Sequence, residues 1–137
     1  MAKLALVLLC GWLAGASAAA ADVVQHETLE LAPGAPVKKL SGKIKGYSSV
    51  EYTIAVPAAG TLDLKLKSGN PSNYFNVSAT GAQEALFVGS RDGSHFSTTA
   101  PAAASYKVSV YLMRNAARRS EQASFVLEAA AHPAPPR

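Results

Sequence analysis

The sequence predicts an all-β protein, an antiparallel β-sandwich of about 7–8 strands with a short turn or helical turn near 114–119. Three observations carry this. Four segments alternate apolar and polar residues with period two. Clusters of turn-forming residues separate the strands about every 10 residues. Roughly 110 residues follow the leader without a cysteine, enough for one core held by burial alone.

The leader comes first in the chain. Lys3 supplies a positive start, Leu4–Leu13 an apolar run, and "AGASAAAAD" several small-x-small sites. Residues 1–21 therefore read as a signal peptide, cleaved just before Asp22. Cys10 lies inside it, and bulky Leu9 stands where a lipidation motif wants a small residue. No later run approaches the roughly 20 apolar residues of a membrane span, so no membrane association is expected after cleavage. A cysteine-free exported product fits a bacterial periplasm better than a small secreted animal domain, which usually carries disulfides. Lys3 is the only charged residue of the leader, so 12 of the 13 basic residues remain against 9 acidic ones, net +3. That mild excess, without a dense basic stripe and interleaved aromatics, does not point to nucleic acid.

Residues 22–130 are the expected sandwich domain. "VEYTIAV" places Val50, Tyr52, Ile54 and Val56 on one face, and "LDLKLK" does so with Leu62, Leu64 and Leu66. "YKVSVYL" aligns Tyr106, Val108, Val110 and Leu112, and "ASFVLEA" aligns Phe125 and Leu127. One apolar face per strand is the mark of half-buried antiparallel strands. "APGAP", "PAAG", "SGNPSN", "ATGAQ", "SRDGS" and "APAAAS" punctuate them with Gly, Pro, Asn and Asp. Lys38, Lys39, Lys43, Lys45, Lys65 and Lys67 read as solvated strand faces. The end "AHPAPPR", 131–137, reads as a flexible tail, because proline suits no central strand.

Catalytic and metal chemistry find little footing. His26, His95 and His132 are far apart and lack ligand-spaced partners. No Ser–His–Asp signature and no phosphate-cradling glycine loop is present. The sequence implies no enzyme, no metal and no cofactor.

Two polar stretches stand out. "SGKIKGY", Ser41 to Tyr47, ends in an aromatic at a strand-to-strand corner. "YLMRNAARRS", Tyr111 to Ser120, leaves a strand with three arginines, an asparagine and alanines. On a helical turn Arg114 and Arg118, four apart, share a face. As a plain solvated connection, its arginines would pair with Glu121 or Glu128. As a binding device, it presents guanidinium forks suited to carboxylates of a partner.

"SGKIKGYSSVEYTI" and "YKVSVYLMRNAARRSEQASFVLEA" together resemble the bacterial periplasmic inhibitors of g-type (goose-type) lysozyme. In that family an SGxIKGY-like segment opens the first long hairpin, and a tyrosine- and valine-bearing strand runs into an Arg-Asn-x-Ala-Arg turn. The match covers Ser41, Gly42, Ile44, Gly46, Tyr47, Tyr52, Tyr106, Val110, Arg114, Asn115, Ala117 and Arg118. It holds from about Leu40 to Glu128 and is weakest over 68–104. The resemblance implies a compact antiparallel β-sandwich whose partner is g-type lysozyme, and a cysteine-free sandwich with outward charges on its strands is expected to be a monomer. The contact surface would centre on Tyr47, Arg114 and Arg118, with Asn115 shaping the turn and Ser41 and Gly42 supporting the corner. Ala116 departs from the family's tendency toward a polar residue there. A second reading stays open: a carbohydrate- or peptidoglycan-binding sandwich like those accompanying secreted bacterial peptidases, which share the pattern seen from Tyr52 to Leu66.

Overall fold

Alternation within a strand fixes which side chains face the core, and two sheets bury those faces against each other. The computed structural model describes residues 23–134; the expected signal peptide at 1–21, its cleavage point and Cys10 lie outside them. In chain order the elements are β1 (Val24–Glu30), β2 (Lys38–Lys45), β3 (Ser49–Val56), β4 (Gly60–Ser68), β5 (Asn73–Ala79) and β6 (Ala85–Val88). There follow α1 (Gly89–Asp92), β7 (His95–Ala100), β8 (Ala104–Leu112), α2 (Arg114–Arg118) and β9 (Gln122–Pro133). One sheet has the order β1-β3-β8-β5-β6, the other β2-β9-β4-β7.

All four alternating segments deliver their apolar faces to the interior. Val50, Tyr52, Ile54 and Val56 meet Leu62, Leu64, Leu66, Phe125 and Leu127 from the opposite sheet, all of them buried. Fully burying one such side chain contributes roughly 1.5–3 kcal/mol. Phe75, Phe87 and Phe96 bridge the sheets, with ring centroids 4.8 and 5.3 Å apart. Burial pushes the Tyr52 phenol up to about 12, with Glu27 adding to it, so this tyrosine is a neutral core residue. Lys39, Lys43, Lys45, Lys65 and Lys67 are exposed.

The sandwich differs from expectation in three places. It has nine strands among the described residues, and β1 pairs with β3 in parallel while every other ladder is antiparallel. The chain leaves β1, crosses to the other sheet as β2, and returns as β3 in the original direction. For the same reason the SGKIKGY segment does not open a hairpin. Both edges of β3 are taken by β1 and β8, and β2 pairs with β9 along its whole length. The chain therefore turns a corner between layers at residues 46–48. Lastly, the tail begins later than residue 131. β9 runs through Pro133, with Ala131 buried and His132 paired to Thr61. Glycine makes this possible, because a Cβ on Gly60 would lie 2.3 Å from the His132 carbonyl oxygen. Pro133, at the strand's end, interrupts no longer ladder.

Candidate functional site

One end of the sandwich gathers the β2–β3 corner, the β4–β5 loop and α2. The corner is a tight turn in which Ser48 N–H donates to the Lys45 carbonyl at 3.1 Å. Gly46 takes φ +61°, a left-handed value at the first central position that glycine adopts without strain. Tyr47 follows, 52% exposed, an unusual state for so large an apolar ring.

The helical turn α2 is weakly encoded locally. Its N-cap, Met113, offers no side-chain cap, and Arg114 puts a cation at the end a helix dipole disfavours. Tertiary anchoring compensates: Ala116 and Ala117 are 0% and 2% exposed. The position that departs from the family's polar tendency is thus a core contact here. Asn115 Oδ1 accepts the Ala116 N–H at 2.9 Å. At the far end, Ser120 N–H donates to Ala117 O at 2.9 Å and Glu121 N–H to Ala116 O at 3.1 Å. That pair of bonds is a Schellman motif, with Ser120 at φ 55° in the place glycine usually holds.

These buried alanines turn Arg114, Asn115 and Arg118 outward, and all three are exposed. The two carboxylates that the sequence offers these arginines are engaged elsewhere, and Glu128 lies six residues along β9 from its start beside α2. Arg119 grips Glu121 through Nε at 2.8 Å and through a terminal nitrogen at 2.5 Å. Lys67 holds Glu128 at 3.0 Å. Both carboxyls lie below the usual carboxylate range, Glu121 through Arg119 and then Asn70, Glu128 chiefly through Lys67. Among the described residues, Arg114 and Arg118 form no ion pair.

The corner and the arginine turn touch through their backbones. Gly46 N–H donates to Glu121 O at 2.9 Å, and a Cβ on Gly46 would lie 3.7 Å from Ala117 O. The structure thus brings Tyr47, Arg114, Asn115 and Arg118 to one end. Ser41 and Gly42 lie within β2, opposite Val126 and Phe125, and share an open depression with Ser68 and Gly69 at the start of the β4–β5 loop. Gly42 has a packing role, since a Cβ there would meet the Phe125 ring at 2.4 Å. Ser41 is exposed and lines that depression, of ≈ 480 Å³, with Lys67, Ser124 and Val126.

Sequence reasoning missed the β4–β5 loop. Met113 N–H donates to Ser72 O at 2.9 Å, and Asn70 Nδ2 donates to Glu121 Oε1 at 3.1 Å and Gln122 O at 3.0 Å. The turn cluster "SGNPSN" was visible, but not that it docks on the arginine turn. Among the described residues no cluster of three metal-ligating side chains occurs, and no helix is long and apolar enough to cross a membrane.

No protein-family model and no curated protein matches the sequence. Solved structures do. The chain is 34% identical to Aeromonas hydrophila PliG, a periplasmic lysozyme inhibitor of g-type lysozyme, covering 82% of this chain and 100% of that one, with TM-score 0.69. A mutant of the Escherichia coli inhibitor of g-type lysozyme shares the fold at 19% identity and TM-score 0.58, over 80% of this chain and 99% of that one. The pre-peptidase C-terminal domain of a Bacillus anthracis collagenase shares it more distantly, at 15% identity and TM-score 0.50, over 78% and 94% of the two chains.

Proposed function

Because the chain belongs to the family of periplasmic inhibitors of g-type lysozyme, we propose that it is itself such an inhibitor. It blocks the enzyme's cleft with the surface formed by Tyr47, Arg114 and Arg118. The observation that carries this reading is the state of the two arginines: exposed on one helical turn, beside the Tyr47 corner, with Glu121, the next acid along the chain, already bound to Arg119.

The chemistry fits the target. A lysozyme cleft grips a sugar polymer and presents catalytic carboxylates. Guanidinium groups without an internal carboxylate are ready to form bidentate, charge-assisted bonds with such acids. A protruding tyrosine suits the apolar and polar walls that bind sugar. Tyr and Arg are also the residue types that dominate interface energetics. Buried Ala116 and Ala117 fix the backbone beneath the arginines, so the ordering cost left for binding is that of the side chains. The protein acts in the periplasm as a monomer, after removal of residues 1–21.

The test is complex formation. The mature protein mixed with a g-type lysozyme should co-elute from a sizing column as one-to-one complex, and an Arg114→Ala/Arg118→Ala variant should not. Sedimentation with insoluble peptidoglycan discriminates the alternative, for the inhibitor stays in solution whereas a wall-binding module sediments. The likeness to the collagenase domain speaks for the sandwich fold alone.

A further inference from the structure

We infer that Asn70 is a positioning residue that keeps Glu121 away from Arg114 and Arg118, so that both arginines stay available to the target. This rests on the inhibitor reading above.

Glu121 is the acid nearest in sequence to the exposed arginines, three residues beyond Arg118. Left mobile, its carboxylate would compete with the enzyme's acids for them. Both of its oxygens are occupied instead. Oε2 accepts from Arg119, and Oε1 accepts from Asn70 Nδ2 at 3.1 Å. The second bond comes from a different part of the chain, 51 residues away.

Asn70 is itself fixed for the task. Its Oδ1 accepts the Ser72 N–H at 2.9 Å, its own N–H donates to Ser68 Oγ at 3.1 Å, and its carbonyl accepts the Asn73 N–H at 3.1 Å. Its amide nitrogen also donates to Gln122 O at 3.0 Å. The side chain is half-buried in the loop and carries no charge. An amide at this spot supplies what the arrangement demands: two donors toward Glu121 and Gln122 and an acceptor toward its own loop. Aspartate would have no donor and would set a second carboxylate beside the first. Glu121 also accepts Gly46 N–H through its backbone. One residue of β4–β5 thus pins the segment to which the Tyr47 corner is tied.

The test uses inhibition of a g-type lysozyme by the mature chain carrying Asn70→Ala, Glu121→Gln, or both. Of the three side-chain hydrogen bonds that Asn70→Ala removes, the one to Glu121 bears on the arginines, and its loss should weaken inhibition roughly three- to tenfold. Glu121→Gln keeps an acceptor for Asn70 and Arg119 but has no charge to offer Arg118. If Asn70 acts by occupying the carboxylate, the double variant inhibits within about twofold of Glu121→Gln alone. If Asn70 merely braces its loop, the double variant is no better than Asn70→Ala, and the inference is overturned. It is overturned equally if Asn70→Ala inhibits like the parent. Asn70→Ser serves the same comparison should the alanine variant not fold. A parent protein that does not inhibit at all fails the functional reading itself, and is recognised before any variant is compared.

Discussion

The Gly46 amide donates to the Glu121 carbonyl at 2.9 Å, joining the turn that presents Tyr47 to the turn that presents Arg114 and Arg118. Two stretches some 70 residues apart in the chain are therefore tied together at one end of the sandwich. Substituting Gly46 tests that coupling. Space is available for a methyl group, with 3.7 Å to Ala117 O, so the cost of Gly46→Ala is conformational. At φ +61° an L-residue costs roughly 1–2 kcal/mol. Chemical denaturation should show a loss of that size, and inhibition should fall with it as the corner distorts.

The exposed arginines should separate function from stability. Arg114→Ala and Arg118→Ala are each expected to cut inhibition of a g-type lysozyme at least about tenfold, because truncating one member of a buried interfacial charge pair costs about 2–5 kcal/mol. Unfolding midpoints should barely move, since exposed charges without partners contribute little to folding. A variant that loses cooperative unfolding would assign its arginine to the fold instead.

Much of this was legible in the sequence, and the failures share a cause. Leu62, Leu64 and Leu66, or Val108 and Val110, reveal themselves because one face of each strand must be apolar. β1 does not, for six of its seven residues are exposed and it is held by backbone pairing with β3. Residues 131–133 looked like loose tail by composition, but Gly60, distant in sequence, clears room for them. The arginine turn was conspicuous, yet which arginine is neutralised depends on where Glu121 goes after Ser120 adopts a positive φ. Tertiary geometry decides such questions, and local pattern does not carry it.

Ser120 offers a gain in stability. It occupies the left-handed position of the Schellman motif after α2. Ser120→Gly relieves that conformation and should stabilise the protein by about 1 kcal/mol in thermal or denaturant unfolding. Inhibition should be unchanged or slightly better, because the motif holds the turn and makes no claim on the target.

Gly42 should behave as a packing residue despite lying in the family motif. A Cβ there would stand 2.4 Å from the Phe125 ring, which is 3% exposed and would have to shift from its packed position. Gly42→Ala is expected to destabilise by roughly 1–3 kcal/mol. Adding Phe125→Leu, which shortens the obstructing side chain, should recover part of that loss in the same unfolding assay.

Acid should loosen the arginine turn. Arg119, followed by Asn70, holds Glu121 below its ordinary value of about 4.3. Its contribution is therefore full above that value and disappears as pH falls through the lowered value of the folded state. Stability measured from pH 7 down to about 3 should drop less steeply for Glu121→Gln than for the parent, and the two curves should converge at the acid end.

As the inhibitor proposed above, this protein would protect peptidoglycan from g-type lysozyme. The most direct measurement is the clearing of a cell-wall suspension by goose-type, chicken-type and invertebrate-type lysozymes, each with and without the mature protein. Clearing by the goose-type enzyme should stop while the other two proceed. Undiminished clearing by the goose-type enzyme at a molar excess of the protein would contradict the proposed inhibition.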